Sequence, residues 1–317
     1  MSIVVVGSSN IDFAARVAKF PQPGQTVAAK EYISGPGGKG CNQALAVARL
    51  GVSPVFISKI GDDALGRQLI ETLAAEGLDT NHLIMADAAQ TGIALISIDE
   101  SGENMITVVG GANMTMTRAD LHDKQESLRD CNYLLLQLEC PVVAVDCAIK
   151  YAREGRAKVI LDPAPVQDHM VMRDLLALTD IVTPNSSECR VMTGIDPVDT
   201  KSAQQAANAL HEMGPKTVII KMGGDGAFYS ADGQSGDGQS GNSQSGMVPS
   251  FSVNAIDTVG AGDCFNAGLA VALHGGQSLP DAVRFACATG ALATTRNGAA
   301  DAAPNIEQVL ALLENRA

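Results

Sequence analysis

Short apolar runs, each followed by a stretch of helical periodicity, recur along most of this chain and leave few folds open to it. Ile3–Val6 is a continuous β-branched run that ends at Gly7-Ser8-Ser9-Asn10. Pro54–Ile60, Tyr133–Leu138, Lys158–Leu161, Ile181–Thr183 and Thr217–Lys221 repeat the pattern. Between and after them the spacing predicts helices over Asn42–Leu50, Ala64–Glu76, 141–153, 187–193 and 201–213, two of them closed by Gly51 and Gly77. Further helices are predicted over 263–274, 280–295 and 306–315. Strands that are apolar on both faces and alternate with helices predict an α/β fold with a mainly parallel sheet covered on both sides.

Two segments break this rhythm, 11–36 and 91–112. The first carries two short alternating stretches around a Pro21-Gln22-Pro23-Gly24 turn; the second predicts a hairpin, Gly92–Ile98 and Asn104–Val109, across Asp99-Glu100-Ser101-Gly102. They are expected either to pair into a small β-sheet lid or to serve as edge strands of the main sheet. Residues 231–246, ADGQSGDGQSGNSQSG, cannot bury apolar surface and predict a flexible loop between two strands.

A net charge of −13 with no basic stripe argues against a nucleic-acid partner. No run approaches the ~18 apolar residues of a membrane span. The seven cysteines show no CxxC spacing, so reduced thiols in a cytoplasmic protein are expected.

Chemistry concentrates at Asp257-Thr258-Val259-Gly260-Ala261-Gly262-Asp263, which opens an apolar-periodic helix. Small residues at a helix start leave amides unshielded, and those amides with the helix dipole favour phosphate. Asp263 among them could accept a proton, and an anion cradle beside a base suits phosphoryl transfer to an alcohol. Gly35-Pro36-Gly37-Gly38-Lys39-Gly40 formally matches GxGxxG, with Asp62 about twenty residues on, as an NAD-dependent dehydrogenase would want. That reading is discounted because residues 26–34 are polar and alternating rather than a buried first strand. What remains is a glycine-rich helix start whose Lys39, Asn42 and Gln43 could hold a ligand rich in hydroxyls.

Asn10 and Asp12 follow the first strand, and Glu139 follows Tyr133–Leu138; each could touch ligand or merely cap a turn or helix. Asn185 and Glu188 form an N-cap and capping-box pair that could also serve Mg²⁺. Lys221-Met222-Gly223-Gly224-Asp225-Gly226 closes a strand as either a hairpin turn or a nucleotide-facing loop. No HExxH, paired His/Cys spacing or GxSxG occurs, and the five histidines are scattered.

In this order the pieces resemble the ribokinase-like (PfkB-type) carbohydrate kinases over nearly the whole chain. Gly37-Gly38-Lys39-Gly40-Cys41-Asn42-Gln43-Ala44 and Asp257–Asp263 match the two signatures of that family. Between them fall Gly110-Gly111-Ala112-Asn113, Gln137-Leu138-Glu139, Asp162-Pro163-Ala164-Pro165 and Thr183–Glu188. The resemblance implies a single three-layer α/β domain over 1–317, with 11–36 and 91–112 forming a lid that pairs two subunits into a homodimer. It implies ATP-dependent phosphorylation of D-ribose at the 5-hydroxyl, with Asp263 as base, an anion hole at Ala261, Gly262 and Asp263, and Gly260 with them among the catalytic residues. Asn10, Ile11, Asp12, Gly38, Lys39, Gly40, Cys41, Asn42, Glu139 and Asp263 would hold the sugar. ATP would lie along Asn185, Lys221–Gly226 (Lys221, Met222, Gly223, Gly224, Asp225, Gly226), Gly262, Asp263 and Cys287, with Mg²⁺ served by Glu188. A K⁺ loop would use Asp257, Val259, Ala293, Arg296, Gly298 and Ala302, mainly through carbonyls; Ala302 stands where a serine is common. A kinase for another sugar or a nucleoside is the alternative within the family, and a non-catalytic sugar sensor is disfavoured by the intact Asp263.

Overall fold

Alternate residues of the central strands part to opposite faces, and each face is closed by its own set of helices. The computed structural model describes residues 2–100, 102–232 and 244–314. The main sheet is built from β1 (Ile3–Val6), β4 (Val55–Ile57), β9 (Tyr133–Leu136), β10 (Lys158–Leu161), β11 (Ile181–Val182), β12 (Thr217–Lys221), β13 (Ala227–Ala231) and β14 (Gln244–Val248). Their order is β14-β13-β12-β11-β10-β9-β1-β4; the strands from β4 to β12 run parallel, and β13 and β14 are antiparallel to their neighbours. Ile3, Val5, Leu135, Ile160 and Ile219 enter one core with α1 (Lys39–Arg49), α2 (Ala64–Ala75), α9 (Ala261–His274), α10 (Leu279–Ala293) and α11 (Ile306–Glu314). Val4, Val6, Leu134, Leu136, Val159 and Val218 enter the other, under α3 (Arg118–His122), α4 (Gln125–Arg129), α5 (Val142–Glu154), α6 (His169–Leu176), α7 (Ser186–Thr193) and α8 (Thr200–His211).

The segments 11–36 and 91–112 supply a separate four-stranded sheet of order β3-β2-β7-β8, from β2 (Asn10–Val17), β3 (Ala29–Gly37), β7 (Gly92–Ile98) and β8 (Asn104–Val109). Gly35–Gly37 therefore end an antiparallel strand of the small sheet, not a buried strand of the large one. The predicted strand Pro54–Ile60 divides at Ser58: β4 stays in the main sheet while β5 (Lys59–Gly61) pairs with β6 (Ile84–Ala86). Ser58 is fully buried, and its hydroxyl takes a hydrogen bond from Ser9 Oγ at 2.8 Å, which satisfies the polar group at the break. The core of the repetitive run, residues 233–243, lies outside the described residues; β13 and β14 flank it as antiparallel strands.

The chain leaves β1 toward β4 on one side and returns to β9 on the other, so the strand order reverses at β1. Ligands of open α/β sheets bind beyond the carboxyl ends of the strands at such a reversal. There β9 stops at Leu136, releasing Gln137–Glu139, and β1 releases Gly7–Ser9. Helix α1 starts at Lys39 rather than Asn42, and its first turn rests on that edge. A Cβ on Gly40 would fall 2.6 Å from the Gly7 backbone, so only glycine lets the helix sit this close.

Candidate active site

Helix α9 begins on Gly260, whose left-handed φ of 75° suits glycine, and Cys264 N is the amide that closes the first turn, on Gly260 O at 2.9 Å. The amides of Gly262 and Asp263 precede that bond, so helix geometry leaves them available to an anion. Asp263, 4 % exposed, is held from α1: Asn42 Nδ2 donates to Oδ2 at 2.9 Å and Gln43 Nε2 to Oδ1 at 3.1 Å. Burial raises its pKa; the Lys39 cation opposes this, Asp162 adds to it, and the two amide hydrogen bonds again favour the charged form.

On one side of Asp263 lies a polar recess. Asn10 Oδ1 accepts from Asn113 Nδ2 at 2.8 Å, and Asn113 also clasps the Ser9 amide and carbonyl, fixing the turn after β1. Glu139 accepts from Ser8 Oγ and from Lys39 N, tying the ends of β1 and β9 to the start of α1. Asp12 Oδ1 and Asn42 Oδ1 are buried acceptors without a protein donor. Burial, with the charges of Glu139 and Asp263, raises the pKa of Asp12 to about 7. Orphaned acceptors at this depth call for hydroxyl donors from a ligand. Ile11 and Cys41, also expected to hold the sugar, are core side chains, and the Cys41 amide is engaged by Ser8 O at 2.9 Å.

On the other side a cavity of about 560 Å³ opens, a volume suited to a nucleotide. Asn185, Glu188, Lys221, Gly223, Gly224, Gly226, Cys287 and Gly260–Asp263 line it, and Lys39 reaches it as well. Of the expected nucleotide contacts, Met222 turns into the core and Asp225 does not line the cavity. Asn185 and Glu188 form the predicted capping box, 2.9 and 2.8 Å, so one oxygen of Glu188 is engaged by its own helix. Burial raises the pKa of Glu188, Lys221 opposes that, and Asp162 reinforces it. Burial works against the charge on Lys39, yet Asp263, Asp162, Glu139 and Glu188 together hold its pKa above the ordinary lysine value. The thiol of Cys287, pushed up to about 12 by burial, stays protonated and inert.

Gln137 and Asp162, which the sequence did not single out as site groups, join the halves through Gln43 and Lys221, which it did. Gln137 Nε2 donates to Gln43 Oε1 at 2.7 Å, and Lys221 Nζ pairs with the buried Asp162 at 3.0 Å. The amide nitrogen of Gln43 lies 3.1 Å from Asp263 and 3.5 Å from Asp162. The signal that could have found Gln137 and Asp162 is position, since each stands directly after the last residue of a parallel strand.

Beside the cradle, Asp257 bridges two amides, accepting from Val259 N and Gly298 N at 3.0 Å each. Thr294 O takes the amides of Ile256 and Asp257, so of the residues expected to form a K⁺ loop, Asp257, Val259 and Gly298 are cross-linked to one another and to the C-terminal end of α10, where Ala293 stands. Ala302 is buried and brings no hydroxyl to the loop. Among the described residues no cluster of three or more His, Cys, Asp or Glu side chains could cage a metal, and no helix is long and apolar enough to cross a membrane. A divalent ion at this site would therefore rest on one or two carboxylates and on phosphate oxygens, the usual habit of Mg²⁺.

The profile of the pfkB family carbohydrate kinases matches residues 1–306. A ribokinase of Haemophilus influenzae is 37 % identical over 314 residues, 99 % of this chain and 99 % of the relative. Among solved structures, a ribokinase of Thermotoga maritima superposes with a TM-score of 0.87 at 34 % identity, covering 99 % of this chain and 100 % of the other. Ribokinase of Arabidopsis thaliana, solved with ribose and ATP, gives a TM-score of 0.88 at 31 % identity, covering 99 % and 98 %.

Proposed function

The chain belongs to the pfkB family of carbohydrate kinases, and on that premise we propose that it transfers the γ-phosphoryl group of ATP to the 5-hydroxyl of D-ribose. The observation that carries this reading is Asp263, whose carboxylate is gripped by α1 on the recess side while its backbone forms part of the amide cradle on the cavity side. The recess takes the sugar: Asn10, Asp12, Asn42, Lys39 and Glu139 suit a small polyhydroxylated ring and leave little apolar surface for a nucleobase. Asp263 removes the proton from the attacking hydroxyl, and burial, by raising its pKa, makes it a stronger base than an ordinary aspartate. Lys39 and Lys221 offset charge on the phosphates, and the amides of Gly262 and Asp263 stabilise the transferring group; the Ala261 amide, expected to join them, donates instead to Thr258 O at 3.3 Å. Glu188, with Asp162 nearby, would serve Mg²⁺ carried by the nucleotide, an ion that neutralises phosphate charge when bound. The loop around Asp257 would hold K⁺ through carbonyls, Val259, Ala293, Arg296, Gly298 and Ala302 included.

Two further readings accompany this one. The small sheet presents Ile33, Ile106 and Val108 to solvent on the face that bears Asp12, and covering them by a second copy supports a homodimer formed through this lid. All seven cysteines are unpaired, which supports a reducing, cytoplasmic setting.

A coupled assay of ADP release with ribose, fructose, adenosine or no sugar tests the reaction. Ribose-dependent release is expected; release that follows adenosine or fructose instead would reassign the recess, and none with any acceptor would overturn the reading.

A further inference from the structure

Arg49 stands at the end of α1, one helix-length from the site groups that the same helix carries, and its side chain is 21 % exposed. Its guanidinium works on two edges. Nε and Nη2 donate to Glu76 Oε2 at 3.0 and 2.8 Å. Nη1 faces three backbone carbonyls of one turn, Ala300 at 2.7 Å, Asp301 at 3.2 Å and Ala303 at 3.2 Å. Carbonyl dipoles that converge in this way repel one another unless a cation sits among them. Here the cation is tethered to α1.

The clamped turn leads directly to the phosphate cradle. Immediately before it, Ala299 presses on Gly260, where a Cβ would lie 2.8 Å from the Ala299 Cα, and Gly298 N is bound to Asp257. Any slack in 300–303 would therefore pass to the residue that starts α9. We propose that Arg49 is a positioning residue for phosphoryl transfer, fixing the 300–303 turn and, through Ala299, the placement of Gly260 and the amides that follow it. The role rests on the phosphotransfer reading above. A lysine could not replace it, because one ammonium cannot span Glu76 and the three carbonyls together.

The Glu76 edge separates positioning from plain stabilisation. If Arg49 acts only by holding α1 to α2, Glu76→Gln should do the same harm. The experiment compares full-length wild type, R49M, R49K and E76Q by steady-state kinetics, ribose calorimetry and amide hydrogen exchange. Both Arg49 variants should lose about 10–100-fold in kcat, the scale of a small displacement in a reacting site. They should raise the KM for ATP, keep ribose affinity within about twofold and speed exchange of the 258–264 amides, because the disturbance lies behind the cradle rather than the recess. E76Q should keep kcat and that exchange within about twofold, as expected for a partly exposed ion pair. Wild-type kinetics and exchange in R49K would overturn the proposal, as would equal losses in E76Q. Should R49M not fold, R49K against E76Q decides. Should wild type turn over no ATP with ribose, the phosphotransfer reading and the catalytic role fail together, whereas active wild type with an unperturbed R49K sinks this inference alone.

Discussion

The recess and the cavity on either side of Asp263 are built on opposite plans. The recess is made of side chains: Asn10 and Asp12 come from β2, Asn42 from α1 and Glu139 from the segment after β9; hydrogen bonds fix Asn10, Asn42 and Glu139, while Asp12 and Asn42 keep acceptors in reserve. The cavity is lined by glycine-rich backbone, Gly223, Gly224, Gly226 and Gly260–Gly262, by apolar side chains such as Phe251, Val253 and Phe265, and by two lysines, Lys39 and Lys221. A sugar must be told from other sugars by the placement of its hydroxyls, which needs rigid and directional groups. A nucleotide's phosphates are held well by amides and charge, which need only close approach. Selectivity is thus concentrated on one side and electrostatics on the other.

Removing the group common to both sides should cost most. Asp263→Asn should fold with unchanged circular dichroism yet lose ~10²–10⁴ in kcat, the usual worth of a positioned base; near-normal turnover would remove Asp263 from the chemistry and break the two-sided picture. Next in size, Glu139→Gln should raise the KM for ribose by roughly 10–100-fold, as expected when a charged hydrogen-bond acceptor is lost. Its KM for ATP should hold steady, and a parallel rise there would show that the halves are not separate. On the cavity side, Lys221→Met should raise the KM for ATP by about tenfold and lower the melting temperature, because it strands the buried carboxylate of Asp162. Adding Asp162→Asn should restore melting but not ATP affinity; restoration of both would make the pair purely structural.

The smallest effect expected is one of pH. Asp12 titrates at about 7 in the fold against 3.8 ordinarily. Between those values the folded chain keeps a proton that the unfolded chain has released, so stability from this group falls as pH rises from about 4 to about 7. Asp12→Asn should flatten that fall and, at pH 7 to 8, raise the melting temperature by about 2–4 °C for each kcal/mol recovered. Ribose hydroxyls donating to the carboxylate favour its charged form, so the KM for ribose should drop as pH rises through 7. An unchanged melting profile in the variant would show that Asp12 is not the titrating group.

How far the sequence revealed this design depended on the distance over which each signal acts. The parallel strands were readable because burial on both faces writes a continuous apolar run, and Gly260–Asp263 because a helix start has a local grammar. Helices α3 and α4 were not, since five residues hold too few turns for a period to emerge, and α6 lacks the capping box that marks α7, a helix of the same length. The break at Ser58 was hidden within a run that is strand-like throughout. The cross-links of the site were least visible: Gln137 meets Gln43 across 94 positions, Lys221 meets Asp162 across 59 and Gln43 meets Asp263 across 220. No local pattern encodes such pairs; parallel pairing brings the carboxyl ends of the strands to one edge of the sheet, where α1 and α9 begin.

Because Gly7 and Gly40 already touch backbone to backbone, the floor of the recess has no slack. A bulkier acceptor cannot be admitted by backing α1 away from the sheet a little, nor can a larger side chain at either position narrow the space without prying the two apart. Room must be gained or lost at the opposite wall, where Asp12 and the small sheet stand. The site works like a vice with one fixed jaw, and a change of sugar preference in this chain has to begin on the movable side.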